Sequence, residues 1–398
     1  MSPERSGSAR WDVRLRADAL THHTWQVFAG LSALQARGEV DLRFVVADRG
    51  GLSLSDVAPW AEVYDRDSKG RWTVCFDLAD SIRLSGPRPR LADVVFKRSY
   101  QADPDRAPDL GQDPGHDGAG TIAGREPIVG QVLPFGLNYA CRTGHEGPMV
   151  RYSLEMLRTA GRRGRSSSTS TSMRWRLQRM AWPLRQPVVL ARARRHPDRV
   201  WSGIPRHVSQ FEVAPEVPAE PVVLFHTRAW AEKVEGVADH HTGPNFQRAE
   251  LIRTLQRRLG DRFRGGFAPD DYAQRHFPDC LSDQPSEPVA YMRAVQRCAV
   301  VVSTIGLRRS TPYKVPENLS ASRAIVSDPL YFGLPTPLED GTHLLTATDP
   351  ESCSDACERL LHDPSLVAHL REHAWYYYQR EVRPDMLLRN RLHDLLDL

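Results

Sequence analysis

The stretch CAVVVSTIGLRRSTPYKVPENLSASRAIVSD, from Cys298 to Asp328, decides the fold class. It begins with a β-branched apolar run, continues through a polar loop, and ends in a second apolar run, AIVSD. Between them, Lys314 to Arg323 is predicted to be a helix, with Pro316 in its first turn, where a missing N–H breaks no helical hydrogen bond. Two short apolar strands joined through a helix predict a βαβ unit in a parallel sheet.

The same alternation continues on both sides of this stretch. Upstream, VVLFHTR (Val222 to Arg228) predicts a buried strand, and Phe246 to Leu259 predicts a helix with one apolar face. Further strands are predicted at RFRGG and, within the first hundred residues, at WDVRLR, DLRFVVAD and ADVVF. The chain is therefore predicted to be an α/β protein with doubly wound, Rossmann-like sheets.

Composition shifts predict the domain boundaries. The stretch EVAPEVPAE, residues 212–220, predicts an interdomain linker. Residues 1–211 would then form an N-terminal domain that contains a polar loop at 103–124 and a basic linker segment at 159–185, and residues 221–374 would form a C-terminal domain.

The overall composition is that of a soluble globular protein, since 40% of the 398 residues are hydrophobic and 26% are charged. No run of about 18 apolar residues is present, so a transmembrane helix is not expected. The six cysteines do not resemble a disulfide framework, and MSPERSGSAR lacks the apolar core of a signal peptide. A cytoplasmic protein with free thiols is the expectation.

Positive charge is concentrated in one segment, residues 151–200, which holds 13 arginines and two acidic residues. Because the charge is not spread over a folded face, nucleic-acid binding is not expected. Within this segment, MRWRLQRMAWPLR (residues 173–185) interleaves Arg with Trp, Met and Leu. That pattern is typical of a helix on an anionic membrane surface, and the alternative is a helix packed on its own domain with a solvated basic face.

Two predicted strand ends carry the residues suited to bind an anion. The first strand ends in His226, Thr227 and Arg228, with Lys233 soon after. The second is followed by a polar loop and a helix start, with these candidates: Gly306, Arg308, Arg309, Ser310, Thr311, Lys314 and Glu317. Ligands in open α/β sheets bind at carboxyl strand ends, so cations at two neighbouring ends predict a diphosphate site. The alternatives are that Arg228 pairs with Glu232 and that Glu317 only stabilises the helix dipole.

The stretch AVVVSTIGLRRSTPYKVPENLSASRAIVSDPLYFGLPTPLEDG resembles the nucleotide-sugar half of GT-B glycosyltransferases of the group-1 and exostosin-like kind. The shared features are a strand, a small or polar loop, a K-x-x-E helix and a turn ending in D-G. VVLFHTR resembles the opening strand of that domain, and AWYYYQREVRP, at the start of residues 375–398, resembles the final helix that crosses back to the first domain. The resemblance covers residues 221–398.

The resemblance implies transfer of a sugar from a nucleoside-diphosphate sugar, in a cleft between two Rossmann-like domains. Arg228 and Lys233 would contact the diphosphate, Lys314 the phosphate or sugar, and Glu317 the ribose. Gly306, Arg309, Ser310 and Thr311 complete the donor-binding set. Arg309 stands where many members of the group have a second acidic residue, which leaves the donor sugar and the stereochemistry open. The fold implies no metal and no further cofactor.

The first predicted strand is followed by RADALTHHTW, which offers Asp18, His22 and His23 as candidate catalytic residues. Histidine suits a general base on an acceptor hydroxyl, and the alternative is a helix-start residue without a catalytic role. Lys97, Arg98 and Asn138 are the candidate acceptor-side residues. The acceptor is a glycan, a lipid-linked molecule or a small molecule, with peripheral membrane contact through 173–185 as an option.

Other patterns point to metal sites only weakly. Cys353 and Cys357 with the histidines at 362, 369 and 373 lack both HExxH and CxxC, and the DxD-like pairs Asp65/Asp67 and Asp103/Asp105 lie in loop-like sequence. GxSxG, GxxxxGK and GxGxxG are absent, which disfavours serine hydrolases, P-loop proteins and dinucleotide-dependent dehydrogenases. Two alternatives to the transferase stay open: a nucleotide-sugar epimerase on the same fold, and an inactive glycosyltransferase-like scaffold.

Overall fold

A computed structural model describes the following residues: 9–16, 23–45, 58–80, 84, 88–102, 130–150, 188, 191, 192, 195, 205–230, 243–306 and 309–398. The chain divides into two compact units. The first unit comprises the described residues of 1–98, 128–210 and 383–398, and the second comprises those of 99–127 and 211–382.

The first unit is built on a six-stranded sheet. Its strands are β1 (Trp11–Arg16), β2 (Val40–Val45), β3 (Trp60–Asp65), β4 (Arg71–Asp77), β5 (Val94–Lys97) and β6 (Gln131–Pro134). They lie in the order β2-β1-β3-β4-β5-β6, and β3 is antiparallel to both of its neighbours. Every other pair in this sheet is parallel. Helix α1 (Trp25–Ala36) connects β1 to β2. A short parallel pair, β7 (Cys141–Arg142) and β8 (Arg206–His207), completes the strands of the unit.

The second unit is built on a fully parallel five-stranded sheet. Its strands are β9 (Glu220–Thr227), β10 (Phe263–Phe267), β11 (Cys298–Ser303), β12 (Ala324–Ser327) and β13 (Leu345–Thr346). Their order is β10-β9-β11-β12-β13, and Leu281 forms a single parallel bridge to Phe267 at the outer edge. With Leu281 as a one-residue edge strand, the order matches the 3-2-1-4-5-6 arrangement of doubly wound sheets. The predicted α/β class is therefore confirmed.

Seven further helices lie entirely within the described residues, and six of them belong to the second unit. The helices are α2 (Pro244–Leu259), α3 (Asp271–His276), α4 (Pro288–Arg297), α5 (Lys314–Ser320), α6 (Pro350–His362), α7 (Pro364–Tyr377) and α8 (Pro384–Asp394). Helix α2 packs against α6, and both bury apolar side chains on the sheet. None of the helices among the described residues is long and apolar enough to cross a membrane.

Helix α5 ends earlier than the sequence predicted, at Ser320 rather than Arg323. Ser322 adopts a left-handed φ of 52°, which turns the chain out of the helix. The fully buried Arg323 guanidinium then donates to the carbonyl oxygens of Gln296 and Cys298, both at 3.0 Å. The end of α5 at Ser320 therefore allows the chain to place Arg323 in the interior and to begin β12 at Ala324.

The last helix, α8, packs on α1 within the first unit. A Cβ atom on Gly30 would lie 2.2 Å from the Pro384 carbonyl oxygen, so the two helices approach too closely for any larger residue there. Leu388 and Leu392 of α8 join Phe28 and Leu31 of α1 in one apolar core. Packing on a second helix as well as on the sheet buries every residue of α1 from Trp25 to Leu34.

Candidate active site

The strand order of the second unit reverses between β9 and β11, and this point is where doubly wound sheets bind ligands. His226 and Thr227 end β9, and Arg228 follows them. Thr304 and Gly306 lie in the loop that leaves the neighbouring end of β11. The two strand ends that the sequence singled out are thus adjacent in the sheet.

Arg248, on α2, ties these two strand ends together. Its guanidinium donates to the Arg228 carbonyl oxygen at 3.1 Å, to the Thr304 hydroxyl at 3.2 Å and to the Ile305 carbonyl oxygen at 3.1 Å. All three acceptors are uncharged. Burial lowers the pKa of Arg248 to about 10, with nearby Asp328 opposing the shift and Arg228 adding to it. Arg248 is therefore a buried cation without a carboxylate bonded to it.

Sequence reasoning missed Arg248, although a signal for it exists. The residue lies four positions before Ile252 and seven before Leu255, which places it on the apolar face of the predicted helix. A charged side chain on a buried helix face requires partners, because its desolvation is costly otherwise.

Lys314, the first residue of α5, reaches the end of β9. Its ammonium group donates to the His226 carbonyl oxygen and lies 5.3 Å from the centre of the Tyr291 ring. Burial, together with repulsion from Arg248 and Arg228 and against the opposing effect of Glu317, lowers the pKa of Lys314 to about 7. We call Arg228, Arg248 and Lys314 the cationic cluster.

Arg228 is the exposed member of the cationic cluster. Its guanidinium carbon lies 4.2 Å from the centre of the Trp230 ring. Among the described residues it makes neither an ion pair nor a hydrogen bond through its guanidinium. Glu232, its partner in the predicted alternative, lies outside the described part of the chain, so that alternative stays open.

The loop between β11 and α5 is folded back on itself. The Gly306 N–H donates to the Ser310 carbonyl oxygen at 2.8 Å, and a Cβ atom on Gly306 would lie 2.5 Å from the Ser310 hydroxyl oxygen. The Ile305 N–H donates to the Asp328 carboxylate at 2.8 Å, and burial raises the pKa of Asp328. Gly306 and Ser310 are thus brought together, at the carboxyl edge of the sheet.

The remaining predicted donor-side residues lie around this loop. Arg309 is exposed, has a left-handed φ of 56°, and places its guanidinium carbon 5.2 Å from the centre of the Tyr331 ring. Thr311 is half-buried just before α5, and Glu317 lies in the first turn of α5, with Pro316 in that turn as predicted. Helix α5 has only seven residues, so its dipole contributes less than the three cations.

His226, beside the cationic cluster, lies within hydrogen-bond distance of two serine hydroxyl groups. Its Nδ1 atom lies 2.8 Å from the Ser282 hydroxyl oxygen, and its Nε2 atom lies 3.2 Å from that of Ser286. The ring also contacts Tyr291, with ring centres 5.7 Å apart. Burial, with a further contribution from Lys314, lowers the pKa of His226 to about 4, so the imidazole is neutral at physiological pH.

The first unit has a second group of charges at strand ends, the paired cluster, which comprises Asp77, Asp80, Lys97 and Arg98. Lys97 and Asp77 end the parallel neighbours β5 and β4, and their charged atoms lie 3.1 Å apart with both side chains 1% exposed. Arg98 pairs with the more exposed Asp80. Burial lowers the pKa of Lys97, and Asp77 opposes that shift.

His23 and Asn138 lie beside the paired cluster. The His23 Nδ1 atom lies 3.5 Å from an Arg98 guanidinium nitrogen, and the His23 carbonyl oxygen accepts from the Asn138 amide at 3.1 Å. The structure therefore brings His23, Arg98 and Asn138 together. Of the other predicted residues and segments, the following lie outside the described part of the chain: Asp18, His22, Lys233, Arg308, loop 103–124 and segment 159–185.

No group of three or more His, Cys, Asp or Glu side chains in the described residues is arranged to hold a metal ion. Asp65 is instead bonded to Arg10 at 3.0 Å and accepts the backbone N–H of Ser68, and the Arg10 guanidinium holds the pKa of its carboxyl well below the usual range. The six cysteines all lie in the described residues, and each is a buried free thiol.

No protein-family model and no curated protein matches the chain in sequence. Among solved structures, HepE from Anabaena, in complex with UDP and glucose, matches with a TM-score of 0.34 and 11% identity, over 48% of this chain and 55% of that one. The C-terminal domain of the group 1 glycosyl transferase LpcC from Francisella tularensis matches with a TM-score of 0.28 and 12% identity, over 43% and 95%.

A Listeria monocytogenes protein assigned as a UDP-N-acetylglucosamine 2-epimerase matches with a TM-score of 0.29 and 11% identity, over 44% of each chain. The chain spans about half the length of the HepE structure. A domain of one group 1 glycosyl transferase is thus among the structures that match less than half of the chain, and the α/β class rests on this chain's own strand order.

Proposed function

We propose that the chain is a glycosyltransferase that moves a sugar from a nucleoside-diphosphate sugar to an acceptor. The observation that carries this proposal is the cationic cluster. Three cations meet at the switch point of a doubly wound sheet, and none has a carboxylate within ion-pair distance among the described residues. A diphosphate would supply the missing negative charge. The resemblance of residues 221–398 to group-1 enzymes supports a sugar nucleotide as its source.

Each member of the cluster would act differently on the diphosphate. The exposed Arg228 would donate hydrogen bonds to the diphosphate oxygens. Lys314, beside it, would gain a proton as the diphosphate binds. Arg248 would contribute positive potential while it holds the two strand ends. As the glycosidic bond breaks, negative charge grows on the leaving diphosphate, and cations already in place stabilise that charge without a metal. Lys233, Gly306, Arg309, Ser310, Thr311 and Glu317 would complete the donor site.

The acceptor side of the proposal rests on the first unit. Arg98 and Asn138 would line it, Lys97 would support it from its buried pair with Asp77, and Asp18, His22 or His23 would supply a base for the acceptor hydroxyl. The acceptor would be a glycan, a lipid-linked molecule or a small molecule. Cytoplasmic location and membrane contact through 173–185 belong to the same proposal.

The first experiment is thermal unfolding with a panel of nucleoside diphosphates and their sugars. A ligand that binds only the folded state adds about 2.7 kcal/mol of stability at a hundredfold excess over its dissociation constant. We expect one nucleotide to stabilise the wild type selectively and Arg228→Ala to lose that shift. The matched control is Arg257→Ala, which removes an exposed arginine of α2 that pairs with Glu351 instead.

A measurement of sugar transfer distinguishes the proposed glycosyltransferase from the epimerase and the inactive scaffold. An epimerase or an inactive scaffold would bind the same nucleotide without moving its sugar to an acceptor, so radiolabelled sugar transfer is measured with the donor that the panel selects. An absence of nucleotide stabilisation, or an equal loss in both arginine variants, contradicts the assigned site.

A further inference from the structure

The Arg228 guanidinium rests on an aromatic ring that the sequence pattern does not single out. Trp230 lies with its ring centre 4.2 Å from the Arg228 guanidinium carbon and 5.9 Å from that of Arg248. Tryptophan is the aromatic residue that attracts cations most strongly. One indole ring therefore contacts two guanidinium groups, which lie close enough to repel each other.

The backbone of Trp230 is fixed by a residue of α2. The Trp230 N–H donates to the Asn245 side-chain oxygen at 2.8 Å, and the Asn245 amide donates to the Trp230 carbonyl oxygen at 2.8 Å. Asn245 is 5% exposed, so this pair of bonds is shielded from water. The ring is thus attached to the same helix that carries Arg248.

The indole N–H itself is buried and has no acceptor among the described residues. Within the described residues, therefore, no hydrogen bond from the indole nitrogen holds the ring in place. A buried donor without a partner costs free energy, so other contacts must favour this position. What the ring does contact is the pair of guanidinium groups. Its position is explained by those contacts rather than by satisfaction of its polar atom.

We infer that Trp230 is a positioning residue, which holds the Arg228 guanidinium in the orientation that binds an anionic diphosphate. This inference rests on the proposed function of the same site. A free arginine side chain loses rotamer freedom when it binds a ligand, and a ring that orders it beforehand removes part of that cost. The ring also offsets the repulsion between Arg228 and Arg248.

The test is a double-mutant cycle read with inorganic pyrophosphate, which needs no knowledge of the nucleobase. Calorimetric affinities are measured for the wild type, Arg228→Ala, Trp230→Leu and the double variant. Loss of one cation–π contact is worth about a fivefold weakening, so Trp230→Leu should weaken pyrophosphate binding about fivefold in the wild type and not at all in Arg228→Ala. Trp230→Phe keeps an aromatic ring and should recover most of the affinity.

Two controls keep the result specific. Trp375→Leu makes the same change on α7 and should leave pyrophosphate affinity unchanged, and thermal melting checks that each variant is folded. If Trp230→Leu unfolds the protein, the longer but still non-aromatic Trp230→Met in both Arg228 backgrounds provides the cycle. If Trp230 substitution lowers pyrophosphate affinity equally with and without Arg228, or does not lower it at all, the inference about Trp230 is wrong while the proposed function is unaffected. Wild-type protein that does not bind pyrophosphate, or binding that Arg228→Ala leaves intact, overturns the proposed function as well.

Discussion

Both units gather charged side chains at the ends of parallel strands, but they balance the charges differently. In the paired cluster of the first unit, each cation has a carboxylate partner, and the Lys97–Asp77 pair is almost fully buried. In the cationic cluster of the second unit, the cations bond, within the described part of the chain, only to uncharged oxygens or contact aromatic rings. Asp328 and Glu317 act on them only through space.

This difference separates charges that are balanced within the fold from charges that have no carboxylate partner among the described residues. A buried cation paired with an anion needs nothing further, and removal of either member leaves the other unpaired. A group of cations without anions repels itself, and its free energy falls when an anionic ligand arrives. Substitution of the same residue type is therefore expected to cost much more stability in the first unit than in the second.

The largest contrast is expected between two lysines changed to methionine. Lys97→Met leaves the buried Asp77 carboxylate without its cation, and we expect a loss of about 3–5 kcal/mol in the free energy of unfolding. Lys314→Met removes a repelled charge and should cost far less. Denaturant unfolding of both variants measures the contrast, and Asp77→Asn in the Lys97→Met background should recover part of the loss. Similar losses at both positions would contradict the division into paired and unpaired clusters.

The sequence predicted the parallel sheet of the second unit because its strands are short, continuous apolar runs between amphipathic helices. It did not predict β3 and β4, since a strand such as WAEVYD alternates buried and half-buried residues and carries a charge on each face, Glu62 on the half-buried one and Asp65 on the buried one. Arg228, Lys314 and Glu317 were found from their places after predicted strands. Arg248, Trp230 and Asn245 were not, because their role depends on which helix packs over which strand end.

A smaller effect is expected from His226, whose pKa is lowered to about 4 within the folded unit. Between about pH 4 and about pH 6.5 the unfolded chain binds more protons at this residue, so the stability of the fold rises with pH across that window. The rise should amount to about 3 kcal/mol, and His226→Gln, which does not titrate, should flatten it. The control is His362→Gln, an exposed residue of α6. An unchanged pH slope in His226→Gln would show that the imidazole is not the group responsible.

The smallest expected effect concerns Lys314 and sharpens the comparison at physiological pH. Because burial and two arginines lower its pKa to about 7, the free site holds only part of a proton there, whereas a bound diphosphate favours the ammonium form. Affinity for the nucleoside-diphosphate sugar that the panel selects should therefore fall about tenfold between about pH 7 and about pH 8.5. Binding near pH 7 should take up protons, detected as a dependence of the calorimetric enthalpy on the buffer. Lys314→Arg stays charged throughout this range and should bind with a flatter pH profile. The paired lysine, Lys97, contributes no such pH dependence, because its carboxylate partner is already in place. Equal pH profiles for the wild type and Lys314→Arg would show that protonation of Lys314 does not contribute to ligand binding.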